Sequence, residues 1–132
     1  MCGRYHIDTE EDIIEIREII AEVNRKHSGT AQHAEMKTGE IYPTHIVPVA
    51  AESGVELMRW GFPMQGKSQT IINARAETIS DRPMFRNAVA SRRVVVPTTG
   101  FYEWTHTGGK AKDKFLFRLP DQRVLYLAGI YT

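Results

Sequence analysis

The residue best suited to covalent chemistry is Cys2, the single cysteine among 132 residues, which directly follows Met1. Cysteine is small enough for removal of the preceding methionine, so we expect a mature chain that begins with a free α-amine beside a thiol. Reference pKa values are about 7.7–8.0 for an α-amine and about 8.5 for a thiol, so near neutral pH a fraction of each is nucleophilic. Such a 1,2-aminothiol condenses with an aldehyde to an imine, and the sulfur then closes a thiazolidine ring. The alternative is a frayed terminus with no chemical role.

Composition limits the classes of partner. The single cysteine excludes an internal disulfide framework and fits a reducing cytoplasm, where we expect the protein to reside. No apolar run approaches membrane-spanning length, so we expect no membrane partner. The five histidines and Cys2 show no metal-ligand spacing, and no glycine-rich phosphate loop is present. We therefore expect neither a metal nor a cofactor.

Charge is unevenly distributed along the chain, although the formal net charge is only +1. Residues 1–60 carry 6 Lys/Arg against 11 Asp/Glu, whereas residues 61–132 carry 11 against 5. A basic second part suits an anionic partner, while ordinary solvation explains the same asymmetry.

Two further stretches carry side chains suited to catalysis. Glu103 lies in the aromatic sequence Phe101-Tyr102-Glu103-Trp104, where partial burial suits a general acid or base; a plain surface strand is the alternative. The side chains of Asn73, Arg75 and Glu77 point the same way if their segment is extended. That row suits orientation of a substrate and binding of a phosphate, or equally a structural hydrogen-bond ladder.

A third stretch alternates basic and apolar residues, a pattern that suits a groove for single-stranded nucleic acid. In such a groove arginines hold backbone phosphates while flat side chains such as Phe85 stack on bases; a solvated helix face explains the pattern as well. The members are Arg82, Met84, Phe85, Arg86, Arg92 and Arg93.

These residues must be positioned by a mixture of helix and strands. We predict a helix from Asp8-Thr9 to Gly29, with Thr9 as its cap and an apolar stripe of Ile13, Ile16, Ile20 and Val23. Residues 30–40 are polar and aperiodic, which predicts a loop. The prolines of the strand at 46–49 predict an edge position. Further strands are predicted at 4–7, 55–60, 94–97, 115–117 and 124–128, with turns at 98–100 and 108–109.

Four motifs, in this order and spacing, give the chain a resemblance to the SRAP family, the SOS-response-associated peptidase domains that shield abasic sites in single-stranded DNA. The motifs are Met1-Cys2-Gly3-Arg4-Tyr5, Trp60-Gly61-Phe62, Ile72-Asn73-Ala74-Arg75-Ala76-Glu77-Thr78 and Gly100-Phe101-Tyr102-Glu103-Trp104. Each is weak alone, but together they run from end to end of the chain. The resemblance implies one α+β domain over residues 1–132, with a mainly antiparallel, barrel-like sheet and an N-terminal helix.

The resemblance also implies roles for particular residues. Cys2 would trap the open-ring sugar aldehyde of an abasic site as a thiazolidine, with Asn73 and Glu103 as its active-site partners. Arg4, Trp60 and Arg75 match positions on the family's DNA-binding surface. To that surface we add Pro43, Phe85 and Arg86. The expected partner is single-stranded DNA that contains abasic sites, which would associate the protein with the nucleoid.

The sequence departs from the family pattern in its length. Family members continue into a segment with an active-site His followed closely by an Arg and a Pro. After Glu103 only His106 is available, and it lies in the wrong motif. We expect either a fragment of a longer chain or a product with reduced catalytic machinery, and an exposed sheet edge through which copies self-associate. Two other functions stay open: a thiol hydrolase or autopeptidase in which Cys2 attacks an amide, and a non-covalent single-strand-binding module.

Overall fold

The computed structural model describes residues 2–106 and 108–132 and shows the predicted α+β fold. Within these residues there are three helices: α1 (Ile14–His27), α2 (Ala31–Glu35) and α3 (Pro83–Ser91). The strands are β1 (Tyr5–Ile7), β2 (Gly39–Ile41), β3 (Ile46–Ala51), β4 (Gly54–Arg59), β5 (Phe62–Pro63), β6 (Thr70–Ile71), β7 (Arg93–Thr98), β8 (Gly100–His106), β9 (Lys112–Phe117) and β10 (Leu125–Ile130). No helix in the described part of the chain is long and apolar enough to cross a membrane.

The strands form two four-stranded sheets and a two-stranded ribbon, and their ladders are antiparallel. The first sheet has the order β2-β1-β8-β9, the second has the order β10-β7-β3-β4, and β5 pairs with β6. The mainly antiparallel arrangement is therefore as predicted. The barrel-like closure is not formed by the described strands, because each four-stranded sheet keeps two edge strands.

The two sheets meet at a corner between Thr98, which ends β7, and Gly100, which begins β8. Thr98 and Thr99 are buried at this corner. The Thr98 hydroxyl donates to the carbonyl oxygen of Leu125 at 2.8 Å, and the Thr99 N–H donates to the carbonyl oxygen of His6 at 2.8 Å. The turn predicted here is thus a crossing from one sheet to the other, fixed by hydrogen bonds to both.

The apolar stripe of α1 is confirmed. Ile16 and Val23 are buried, and Ile20 packs against the core from the same side of the helix. Ile13 is buried just before the helix begins. The spacing of three and four residues between these apolar side chains places them on one face of α1, which packs against the sheets.

The start of α1 lies later than predicted, and the predicted cap at Thr9 is wrong because the helix has no side-chain cap. The Asp8 carboxylate accepts the backbone N–H of Glu10 at 3.0 Å, which turns the chain before a helix can form. The Arg123 guanidinium also binds the carboxylates of Glu10 and Asp12, at 3.1 and 2.9 Å. These contacts with a distant residue hold the segment in its irregular path.

Residues 30–40 are not the uniform loop that their polar composition predicts. They contain α2, which is five residues long, and the start of β2. The Thr30 hydroxyl accepts the backbone N–H of His33 at 3.1 Å and so caps α2. A helix this short has too few turns to show periodicity in its sequence.

Strand β3 is an inner strand, so the predicted edge position is wrong. It pairs with β4 along its whole length, whereas its recorded pairing with β7 is confined to Ala50 and Val95. Pro48 is fully buried in this strand. The gap in the ladder towards β7 accommodates a residue that lacks a backbone N–H.

The hydrophobic core lies where α1 and the two sheets meet, and it includes β1. Its members are Tyr5, Ile7, Ile13, Ile16, Ile41, Val47, Val49, Val94 and Val124. Cys2, Trp60 and Phe101 pack against this cluster while remaining partly accessible. The core thus reaches to the N-terminal cysteine.

The edge strand β9 carries exposed apolar side chains. Phe115 and Phe117 are each 45% exposed, and Phe117 stacks on Phe101 with ring centroids 5.3 Å apart. Their strand forms the open side of the first sheet. Self-association through this edge stays a prediction.

The close approach of β8 and β9 gives a test of the fold. A Cβ atom at Gly100 would lie 2.7 Å from the carbonyl oxygen of Phe117 and 2.9 Å from Leu116 Cδ1. We expect Gly100→Ala to lower the free energy of unfolding by about 1–3 kcal/mol, because backbone must move to relieve the clash. Chemical denaturation measures this loss. The control is Gly109→Ala, where the atom nearest to the added Cβ is 4.0 Å away and stability should change little. If Gly100→Ala lowered the free energy of unfolding no more than this control, the packing described would be contradicted.

Candidate active site

Cys2 and Arg4 lie on opposite sides of the first sheet, because the chain bends at Gly3 before it enters β1. The Cys2 side chain packs against the core, and its thiol donates to the carbonyl oxygen of Arg4 at 2.9 Å. That same carbonyl oxygen accepts the backbone N–H of Tyr102 at 2.9 Å. The Cys2 side chain is therefore held in place by the strands on which the sheet is built.

Asn73 lies beside Cys2, the residue to which the family resemblance links it. Its side-chain Nδ2 donates to the Cys2 carbonyl oxygen at 2.7 Å. The segment that carries Asn73 is held in turn by Trp60, whose Nε1 donates to the carbonyl oxygen of Ile72 at 3.1 Å. Two predicted site residues, 71 positions apart in the chain, are thus joined by a direct hydrogen bond.

Glu103 lies close enough to act electrostatically on Cys2. It is partly buried on β8, and it pairs across the ladder with Phe115. The pKa of the Cys2 thiol is raised, first because burial removes it from water, and the negative charge of Glu103 raises it further. Backbone hydrogen bonding at Arg4 and Tyr102 opposes this shift. At neutral pH the thiol is therefore held in its protonated form.

Tyr5 adds a buried hydroxyl that sequence reasoning did not single out. Its side chain is 3% exposed and packs on the Trp60 ring with centroids 5.2 Å apart. Its pKa is raised, first by burial and then by the charge of Cys2. Among residues 2–106 and 108–132 the hydroxyl has no hydrogen-bond partner. Such an unpaired buried polar group lowers stability.

Arg4 lies on the outer face of the first sheet. Its guanidinium carbon is 4.1 Å from the centre of the Tyr42 ring and 4.9 Å from that of the Trp104 ring. Its Nη1 donates to Glu40 Oε1 at 3.3 Å, and Lys114 Nζ donates to the same oxygen at 2.6 Å. Sequence reasoning placed Arg4 on a DNA surface but missed these neighbours, because they come together only through the pairing of β1 with β2 and of β8 with β9.

The other residues predicted for DNA binding differ in exposure. Arg75 and Arg86 are exposed, and Pro43 is partly exposed after β2. Phe85 is 9% exposed and packs on Phe62 with ring centroids 5.6 Å apart, so it anchors α3 and offers little free face to a base. Trp60 is partly buried against the core.

Two sequence patterns do not persist in the structure. Asn73, Arg75 and Glu77 do not form an extended row, because the chain turns after Arg75, where the N–H of Thr78 donates to the Arg75 carbonyl oxygen at 3.1 Å. Arg92 does not face a groove, since its Nε donates to the backbone carbonyl oxygen of Tyr131 at 3.1 Å.

No metal centre is present in the part of the chain that the structure describes, where no three His, Cys, Asp or Glu side chains lie close enough to hold an ion. The candidate site consists of the half-buried Cys2 thiol beside the Asn73 amide and the Glu103 carboxylate.

Comparison with known proteins gives one consistent result. The model of the family described as SOS response associated peptidase (SRAP) matches residues 1–132. The abasic site processing protein YoqW of Bacillus subtilis is 30% identical over 146 aligned positions, which cover 99% of this chain and 60% of the relative. YoaM, an abasic site processing protein of the same organism, is 38% identical over 79 positions, covering 56% of this chain and 35% of YoaM.

Solved structures share the fold. A protein from Bacteroides thetaiotaomicron superposes with a TM-score of 0.70 at 23% identity, covering 98% of this chain and 59% of that protein. A phage-related protein from Bordetella bronchiseptica gives a TM-score of 0.67 at 22% identity, covering 98% and 60%. The chain thus spans about three fifths of the length of these proteins.

The unpaired hydroxyl of Tyr5 can be tested by stability. We expect Tyr5→Phe to raise the free energy of unfolding, by about 1 kcal/mol, because it removes a buried polar group without a partner. The matched control is Tyr102→Phe, which removes a hydroxyl that lies 2.9 Å from His6 Nδ1 and should lower stability by about 0.5–1.5 kcal/mol. Equal losses in the two variants would show that the Tyr5 hydroxyl has a partner.

The electrostatic link between Glu103 and Cys2 can be tested by titration. Glu103→Gln removes a negative charge that disfavours the thiolate, so the thiol pKa should fall and alkylation should begin at lower pH. Since Cys2 is the single cysteine, intact mass after timed iodoacetamide treatment gives the profile directly. Glu77→Gln, at an exposed carboxylate, is the charge-matched control. An unchanged profile in Glu103→Gln would refute the link.

Proposed function

This chain belongs to the SOS response associated peptidase (SRAP) family, and from that premise we propose that it traps abasic sites in single-stranded DNA covalently through Cys2. Relatives that it matches along almost its whole length are named abasic site processing proteins. An abasic site in its open form carries a sugar aldehyde, the group with which a 1,2-aminothiol condenses.

The observation that carries the proposal is the 2.7 Å hydrogen bond from Asn73 to the Cys2 carbonyl oxygen. It fixes the backbone of the residue whose amine and thiol both take part. Glu103 acts on the thiol of the same residue. An unreactive terminal cysteine would need no such support from two distant segments.

The proposed reaction begins after loss of Met1 from the chain. The α-amine of Cys2 attacks the aldehyde carbon and forms a carbinolamine. Loss of one water gives an imine. The sulfur then adds to the imine carbon while the thiol proton passes to the nitrogen, which closes the thiazolidine. One aldehyde and one aminothiol are thus consumed, and one water is released.

Glu103 and Asn73 have separate roles in this scheme. The Glu103 carboxylate accepts a proton from the terminal ammonium and returns it to the carbinolamine oxygen, so that water leaves. Asn73 holds the Cys2 carbonyl oxygen and keeps the amine in position. The amine reacts first because the sulfur adds to the imine carbon that this reaction creates, and the thiol supplies its proton at ring closure.

The state of the thiol favours this chemistry over amide hydrolysis. A cysteine hydrolase depends on a thiolate, which positive neighbours or a base stabilise by lowering the thiol pKa. Burial and Glu103 shift the pKa of Cys2 in the opposite direction. The proposal therefore assigns the aldehyde, and not an amide, as the group that Cys2 attacks.

The DNA would lie along the side chains already assigned to the expected surface. Arg4, Arg75 and Arg86 supply positive charge for phosphates, since each is at least partly exposed. Pro43 and Trp60 offer apolar contact, since both are partly exposed. Phe85 supports this surface by holding α3 against Phe62.

The test is an intact mass measurement on protein mixed with an abasic single strand. We expect an adduct that survives denaturation, with the mass of the strand plus the chain without Met1, less one water. Cys2→Ser keeps a nucleophile but loses the sulfur that closes the ring, so its adduct should hydrolyse unless borohydride reduces it. A strand with a tetrahydrofuran analogue, which has no aldehyde, is the matched control and should give no adduct.

The three candidate functions give different results in this experiment. A stable adduct of Cys2→Ser at wild-type yield would exclude the thiazolidine. Binding of the strand without any covalent product would identify a non-covalent module. Turnover of a peptide without reaction on the strand would identify the hydrolase.

A further inference from the structure

The outer face of the first sheet carries two cations that share one carboxylate oxygen. Arg4 Nη1 lies 3.3 Å and Lys114 Nζ lies 2.6 Å from Glu40 Oε1. The three residues come from the segment before β1, from β2 and from β9, which the sheet order places across its full width. The trio carries a net charge of +1.

Aromatic rings hold both cations in place. The Arg4 guanidinium lies between the Tyr42 and Trp104 rings, at 4.1 and 4.9 Å. Lys114 Nζ lies 4.5 Å from the centre of the Tyr102 ring and 5.7 Å from that of Trp104. Two rings against each cation restrict its position. The pair is therefore pre-organised whether or not Glu40 is bound to it.

Arg4 and Lys114 have more hydrogen-bonding capacity than Glu40 uses. Arg4 Nε is buried and has no hydrogen-bond partner in the described part of the chain. A guanidinium has five donors and an ammonium has three, while Glu40 occupies one donor on each. A phosphate group, with more acceptor oxygens than one shared carboxylate oxygen, satisfies such a pair better.

We propose that Arg4 and Lys114 together bind a backbone phosphate of the single strand, and that Glu40 occupies this pair in the free protein and must give way when DNA binds. This inference rests on the proposed function, because the phosphate belongs to the strand that carries the abasic site. Its new elements are Lys114 as the second cation and Glu40 as an internal competitor.

Displacement of Glu40 is feasible because the carboxylate lies near the surface. Its side chain is 27% exposed, and exposed ion pairs contribute little to stability. Both partners stay where the rings hold them, so only Glu40 has to move. The competitor then limits affinity for an isolated phosphate and favours a strand that brings further contacts at the same time.

The experiment compares Glu40→Gln with Glu56→Gln. Glu56 is the matched control because its side chain is also 27% exposed and also binds a lysine, Lys26, at 2.8 Å, but on the second sheet. An undamaged fluorescent oligothymidine is titrated at several salt concentrations, so that no aldehyde chemistry contributes. Thermal unfolding of each variant confirms that the fold is retained.

Glu40→Gln removes the competing negative charge, which makes the net charge of the trio more positive by one unit. We expect Glu40→Gln to bind the strand about two- to fivefold more tightly, as loss of one exposed ion pair allows. The salt dependence of binding should keep the wild-type slope, because the same phosphate is bound in both proteins and only its competitor is lost. Lys114→Gln should bind more weakly with a shallower slope, and Glu56→Gln should follow the wild type.

The outcomes separate this inference from the proposed function. If Glu40→Gln binds no more tightly than Glu56→Gln while the wild type binds the strand, Glu40 is not a competitor and only the inference fails. An unchanged affinity and slope in Lys114→Gln would remove Lys114 from the phosphate site. If the wild type itself does not bind the strand, the proposed function fails, and the inference fails with it.

Discussion

The pairing of β1 with β2 on one side and with β8 on the other is the constraint on which the rest of the molecule depends. Tyr5 stands opposite both Ile41 and Phe101, so a three-residue strand is held between two partners. Cys2 lies just before this strand and takes its position from it. The position of Cys2 is therefore set by ladder hydrogen bonds and by the core against which its side chain packs.

Under the proposed function, the bend at Gly3 separates the reacting residue Cys2 from Arg4, which would contact DNA. On the inner side, low polarity and the charge of Glu103 keep the Cys2 thiol protonated. On the outer side, the Tyr42 ring and the Glu40 carboxylate hold the Arg4 guanidinium in place. Cys2 and Arg4, which are two positions apart in the chain, thus lie in contrasting environments. A change on one face can consequently alter affinity without altering the reactivity of the thiol.

The sequence was informative where a signal is local or where a motif is shared with a family. The apolar stripe of α1 follows from periodicity, and the pairing of Asn73 with Cys2 follows from the resemblance, since no local rule links residues so far apart. Thr9 does not cap the helix, because the distant residue Arg123 binds the carboxylates of Glu10 and Asp12 and holds this segment out of the helix. Lys114 was missed because its place beside Arg4 depends on the β8–β9 register, which alternation alone does not fix.

The long separation between β1 and its partner β8 has a consequence for the newly made protein. A ribosome adds about 5–20 residues per second, so roughly 5–20 s pass between synthesis of β1 and synthesis of β8. During that interval the complete first sheet cannot form around Cys2. Under the proposed function, this leaves the N-terminus open to the aminopeptidase that removes methionine. The order of synthesis would therefore give this processing a head start over burial of Cys2.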